Sequence, residues 1–220
     1  MAVTTVLRSI AILLLGSGIC LVLIQTYTIA TVVLLLAAFL VFLVRLEKRQ
    51  LTARELILIA TLSATAAIAR LPFAAIPSVQ ATSFVVIVTG VVFGSGAGFL
   101  VGAVAACASN LFLGQGLWTP FQMLAWGLMG AGAGWLRRMP TWILCFYGAV
   151  TGLLFGWFMN VVTLLPFLET ISWEMVILTY VQSIWFDVAH ACANVIFLAL
   201  FSRSWIRLLT RYRDVHGVLH

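Results

Sequence analysis

Residues 82–113 read TSFVVIVTGVVFGSGAGFLVGAVAACASNLFL, and the fold turns on whether the first part of this stretch is a strand or a helix. The run over 82–94 is short and β-branched, which in water favours a strand. A lone strand in lipid leaves its N–H and C=O groups without partners, whereas a helix pairs them within the segment. The surrounding composition decides between the two. Of 220 residues, 64% are hydrophobic and 8% charged, with a mean hydropathy of +1.17, values far from those of a water-soluble chain. The segment therefore reads as a short or tilted transmembrane helix. The break Gly94-Ser95-Gly96 ends it, and a second helix follows to Leu113.

Outward from this point, apolar runs at about 6–24, 27–44, 55–73, 82–94, 97–113, 120–136, 141–165 and 174–201 give eight candidate helices, at roughly 20 residues per crossing. The strongly charged linker from Arg45 to Glu55 divides them. Residues 1–50 form two Gly-poor helices and the linker, 51–210 a six-helix core rich in Gly, Ala, Asn, Gln and Trp, and 211–220 a cytoplasmic tail. The expected fold class is an all-α integral membrane protein. Its length leaves no room for an attached catalytic or nucleotide-binding domain, and it contains no P-loop.

Twelve Lys and Arg against six Asp and Glu give a formal charge of +6. In a soluble protein that would suggest nucleic acid; here the basic residues punctuate hydrophobic runs and report orientation. Arg8, the group Arg45, Lys48, Arg49 and Arg54, the pair Arg137 and Arg138, and Arg203, Arg207, Arg211 and Arg213 fall on one side of an eight-helix threading. That predicts both termini in the cytoplasm. The other side holds Arg70, Glu169 and Glu174 and the chemically richer loops. The first apolar run has no small-residue cleavage site before Gln25 and reads as a retained anchor.

Enzyme chemistry finds little support. The four cysteines, Cys20, Cys107, Cys145 and Cys192, are scattered singly, which indicates neither a metal cage nor a disulfide framework. No H-E-x-x-H or G-x-S-x-G motif occurs, and two of the three histidines lie in the terminal tail, so neither catalysis nor a resident cofactor is expected.

Small residues recur every fourth position in Ala60 and Ala64, beside Ser63 and Ala67; in Gly98, Gly102 and Ala106, ending at Asn110; and in Gly148, Gly152 and Gly156, ending at Asn160. Such stripes let helix backbones approach closely in lipid. Most read as core packing, and the Ala60 and Ala64 face as a docking surface for a membrane partner. On the last helix Ser183, Asp187, His190 and Asn194 share one polar face, costly in lipid unless it is partnered. Asp187 and His190 lie three apart and are placed to bond each other. The face reads either as an interhelical clamp with Asn110 or Asn160, or as a ligand-pocket floor or proton relay.

The segment from Asn110 to Gly130 is the most informative. Gly114 and Gly116 permit a tight outer turn, and Thr119 and Pro120 suit a helix start. Gln115, Trp118, Thr119 and Gln122 then gather at the outer mouth, as a lid or recognition loop for a polar ligand, although Trp118 alone would serve as an interfacial anchor.

Together with Arg54-Glu55 opening the first core helix and the Ala60/Ala64 face, the pattern Asn110…Gly114-Gln115-Gly116-x-Trp118-Thr119-Pro120-x-Gln122-Met123-x-Ala125-Trp126-Gly127 resembles the substrate-binding S components of energy-coupling factor transporters. Those assigned to cobalamin are the most similar. The resemblance covers about residues 54–205; the two leading helices depart from it. It implies a vitamin receptor of the bacterial cytoplasmic membrane that docks on a transmembrane coupling subunit and two ATPase subunits, with ATP used by those partners alone. Gln115, Gln122, Asn110, Asn160, Tyr180 and Trp118 would supply donors, acceptors and stacking surfaces to cobalamin, or to another vitamin or precursor. A non-transporting membrane assembly subunit is the alternative from a different class.

Overall fold

The computed structural model describes residues 2–23, the isolated positions 29, 32, 33, 36, 37 and 40, and residues 51–219 except Leu117. Among these the chain forms seven α-helices, three single turns of 3-10 helix and no strand. The helices are α1 (Ala2–Leu23), α2 (Ala53–Ile68), α3 (Thr82–Phe93), α4 (Ser95–Leu113), α5 (Trp118–Ala133), α6 (Thr141–Leu164) and α7 (Trp173–His216). Of the helix expected over 27–44 only those isolated positions are described, and the count of helices among the described residues is seven rather than eight. Four segments are long and apolar enough to cross a membrane: Ala53–Phe73, Ser95–Leu113, Thr141–Phe167 and Trp173–His216.

The β-branched run forms helix α3, and all twelve of its residues are buried. It packs against α2, α4, α5 and α7, which explains an apolar sequence with no polar face. Close crossings around it rest on glycine. A Cβ on Gly98 of α4 or on Gly130 of α5 would strike the carbonyl of the other. The stripe of α6 faces α7 in the same manner, Gly156 against the Asp187 carboxylate and Gly152 against Ala191. On α2, Ser63 and Ala67 are buried in the core while Ala60 and Ala64 are exposed.

Helix α2 opens with a capping box: the Glu55 amide donates to Thr52 Oγ1 at 3.3 Å, and the Thr52 amide donates to Glu55 Oε2 at 2.7 Å. The other Glu55 oxygen accepts the Leu219 amide at 2.9 Å, so the end of the chain is tied to the start of α2.

Helix α7 differs from expectation in length. The apolar run ends near Phe201, yet the helix continues to His216, where Gly217 closes it at φ 60°. The segment expected as a tail from 211 is thus helical through His216, and Val218 and Leu219 are buried. The cause is a change from apolar to amphipathic. Arg203, Arg207 and Arg211 line the exposed side, while Leu209 is buried and Trp205 and Ile206 pack on the core cluster.

The antiparallel run of α4 to α7 places Arg203 beside Thr141 at 3.4 Å and both Arg137 and Arg213 on the Val92 carbonyl. This is the basic end of the bundle. The opposite end, formed by the α2–α3, α4–α5 and α6–α7 connections, carries Arg70.

Candidate functional site

Asn110, near the end of α4, is the centre of a hydrogen-bonded cluster at the end opposite the arginine-rich one. Its Oδ1 accepts from Arg70 Nη1 at 2.7 Å. Its Nδ2 donates to Thr119 Oγ1 at 3.0 Å and to Gln122 Oε1 at 2.8 Å. The Thr119 hydroxyl donates to Gln115 Oε1 at 2.8 Å, and Gln115 Nε2 donates to the Cys107 carbonyl at 3.0 Å. Three of the four residues expected at the mouth, Gln115, Thr119 and Gln122, are therefore joined, and Asn110, expected as a ligand contact, joins them. Thr119 differs in role: instead of capping α5 it accepts from the amide of Gly116, at 3.3 Å. Trp118 begins α5, is 45% exposed, and lies close over Gly116.

Arg70, from the turn after α2, adds the only cation of this cluster among the described residues. Nη1 also donates to Ser109 Oγ at 2.9 Å, and the guanidinium sits 5.1 Å over the Trp126 ring, an attractive placement over a π face. Trp126, fully buried, donates Nε1 to Ser83 Oγ at 3.0 Å. The same Ser83 hydroxyl also shares a hydrogen bond with His190 Nε2, 2.8 Å away. A continuous path of polar and cation–π contacts thus runs from the surface glutamine through the Arg70 turn to α7, touching α3, α4, α5 and α7.

A cavity of about 290 Å³ opens beside Arg70, walled by Phe73, Pro77, Val79, Gln80 and Leu113. Gln80 Oε1 is buried there without a partner. Arg70 spends one of its nitrogens on the protein and Gln122 Nε2 donates to no described residue, so the cluster retains donors beyond those it uses internally.

The polar face of α7 divides. Asn160 Nδ2 donates to Ser183 Oγ at 2.6 Å, and Ser183 Oγ donates to Asp187 Oδ2 at 2.9 Å. Asn194 Nδ2 donates to the Gly148 carbonyl at 2.9 Å, while its Oδ1 is buried and unpartnered. Asp187 and His190 do not bond each other: successive positions on α7 turn one toward α6 and the other toward Ser83 of α3. Of the two clamp partners considered, Asn160 closes onto this face and Asn110 belongs to the Arg70 cluster. Tyr180 donates to the Trp157 carbonyl at 3.2 Å, which places it and Asn160 with the α6–α7 contact and away from the cluster around Asn110.

No three His, Cys, Asp or Glu side chains converge among the described residues. Sequence reasoning missed Arg70, Gln80, Ser83 and Ser109 as site residues. The available signal was Arg70 itself, a cation on the side of the threading that otherwise lacks them. Comparison with known protein families, with curated proteins and with solved structures finds no match to this chain.

Proposed function

We propose that this chain is the membrane-embedded substrate-binding subunit of an importer of the energy-coupling factor type, in the bacterial cytoplasmic membrane with both termini in the cytoplasm. One observation carries the reading: Arg70 and Gln122 keep donors that no described residue takes, and Arg70 lines an open cavity at the end away from the arginine-rich one. A clamp built for stability alone would consume its donors internally, which argues against a mere assembly subunit. In this reading the energy for transport comes from partners, a transmembrane coupling subunit and two ATPases, and these 220 residues contain no P-loop. The exposed Ala60 and Ala64 on α2 offer the close-approach surface on which that coupling subunit docks.

Of the two substrate classes raised by the sequence, cobalamin and another vitamin or precursor, the cavity favours the second, in a molecule smaller than cobalamin. Its volume of about 290 Å³ stands at the lower edge of small-molecule pockets, roughly 300 to 1,000 Å³, and a whole corrinoid needs the mouth to widen. An uncompensated guanidinium selects a ligand bearing a carboxylate or phosphate. Titrating the purified chain with cobalamin and with carboxylate-bearing vitamins such as pantothenate, niacin and biotin tests this. Saturable binding of one of them is expected, and Ala60→Trp should keep that binding while abolishing uptake in cells supplied with the coupling module. Absence of binding by the whole set, or full uptake by Ala60→Trp, removes the reading.

A further inference from the structure

The basic end carries a second cavity, of about 360 Å³, whose polar wall is Arg137, Arg138, Thr210 and Arg213 and whose apolar wall is Val91, Val92 and Ile206. It is formed where the end of α3, the turn after α5 and the long extension of α7 meet. None of these residues belongs to the cluster around Asn110.

Two of its arginines share one acceptor. Arg137 Nη2 donates to the Val92 carbonyl at 3.2 Å and Arg213 Nη1 to the same oxygen at 3.0 Å. Two guanidinium groups pinned to one oxygen repel each other, and a neutral carbonyl offsets little of that repulsion. The acid at hand among the described residues is Asp214, which pairs with Arg213 at 2.9 Å on the exposed side. Arg138 makes no hydrogen bond to a described residue, and neither does the Thr210 hydroxyl. The cavity therefore presents three cations against one carboxylate, with donors unspent and two of the three guanidinium groups held in advance on Val92. That chemistry matches a tetrahedral oxyanion, which accepts from several guanidinium N–H groups at once.

We propose that this cavity binds an anionic phosphate group, either the headgroup of a phospholipid or a soluble phosphate ester. Its placement at the arginine-rich end of the bundle, with Val91, Val92 and Ile206 continuing the wall away from the charges, suits a lipid headgroup with its glycerol against the apolar side. The site is separate from the one at the Arg70 end, and its test reads a different ligand.

Native mass spectrometry of the full chain in detergent, titrated separately with phosphatidylglycerol, phosphatidylcholine and glycerol phosphate, decides it. Wild type should hold phosphatidylglycerol in preference to phosphatidylcholine. Arg138→Gln, at an exposed residue that bonds nothing in the protein and so leaves the fold intact, should weaken it about fivefold. Arg138→Gln with Arg213→Gln should weaken it further. Preferential phosphatidylglycerol binding with weak glycerol phosphate binding assigns the site to lipid, and tight glycerol phosphate binding without lipid preference assigns it to a soluble ester. Equal occupancy by the two lipids with no glycerol phosphate bound overturns the proposal, as does wild-type affinity in Arg138→Gln.

Discussion

Asn110 and Asn160 end two stripes of the same design, Gly98-Gly102-Ala106 on α4 and Gly148-Gly152-Gly156 on α6, and they finish in different chemistry. Asn110 receives a cation from outside its own helix pair and stands near a cavity. Asn160 meets Ser183 and, through it, Asp187, with glycine pressed against the carboxylate. Four-residue spacing puts an amide on a packed face in both cases; what crosses from the neighbouring elements decides whether it joins a cluster beside a cavity or fastens two helices.

The comparison breaks most sharply at Gly156. Gly156→Val drives a side chain into the Asp187 carboxylate, which must swing away and give up its bond from Ser183 or push α6 and α7 apart, at a cost of about 3 kcal/mol. A large fall in thermal stability in detergent is expected, with ligand affinity unchanged in the fraction that folds. A fall in affinity at unaltered stability would place Asn160 and Asp187 in the binding site and erase the distinction.

Arg70→Gln is expected to act in the opposite sense. It removes the bonds to Ser109 and Asn110 and leaves buried acceptors short of a donor, a loss of about 1 to 2 kcal/mol. Its larger effect should be on binding of an anionic ligand, lowered by at least tenfold in a calorimetric titration, an amount equivalent to about 1.4 kcal/mol. Unchanged affinity would mean that the cavity beside Arg70 is not where the ligand sits.

Asp187→Asn should do least. The amide oxygen still accepts from Ser183, so a change below about 1 kcal/mol is expected in a melting experiment, with ligand affinity as in wild type. Loss of transport in this variant alone would show that the fastener also moves a proton.

These contrasts bear on what the sequence could tell. The helical elements were legible because lipid forbids an unpaired strand, and α3 shows it: a β-branched run that is a helix buried on every side. The gathering of Gln115, Thr119 and Gln122 was legible because all three lie within one turn and the start of the helix after it, whereas Asn110, read as a ligand contact or a clamp for α7, joins them only through the packing of α4 on α5. Arg70 was not legible, since its partners stand 39 and 40 residues away and only the packing of α2 on α4 brings them together. Asp187 and His190 misled for the converse reason. They are neighbours along α7, but each faces a different helix, and a partner across an interface outcompetes one along the chain. The basic cavity was hidden likewise, because Arg137 and Arg213 report orientation when read singly and meet only at Val92.

Helix α7 is one unbroken rod of 44 residues, about 66 Å from end to end. It touches the Asn160 clamp and His190 toward one end and carries Arg213 at the other. A rod of that length is a lever: tilting it by about 10° about its midpoint swings each tip through roughly 6 Å, more than a helical turn of 5.4 Å. A displacement small enough to spare the packing at the fulcrum therefore becomes, at the basic tip, as large as a change of register.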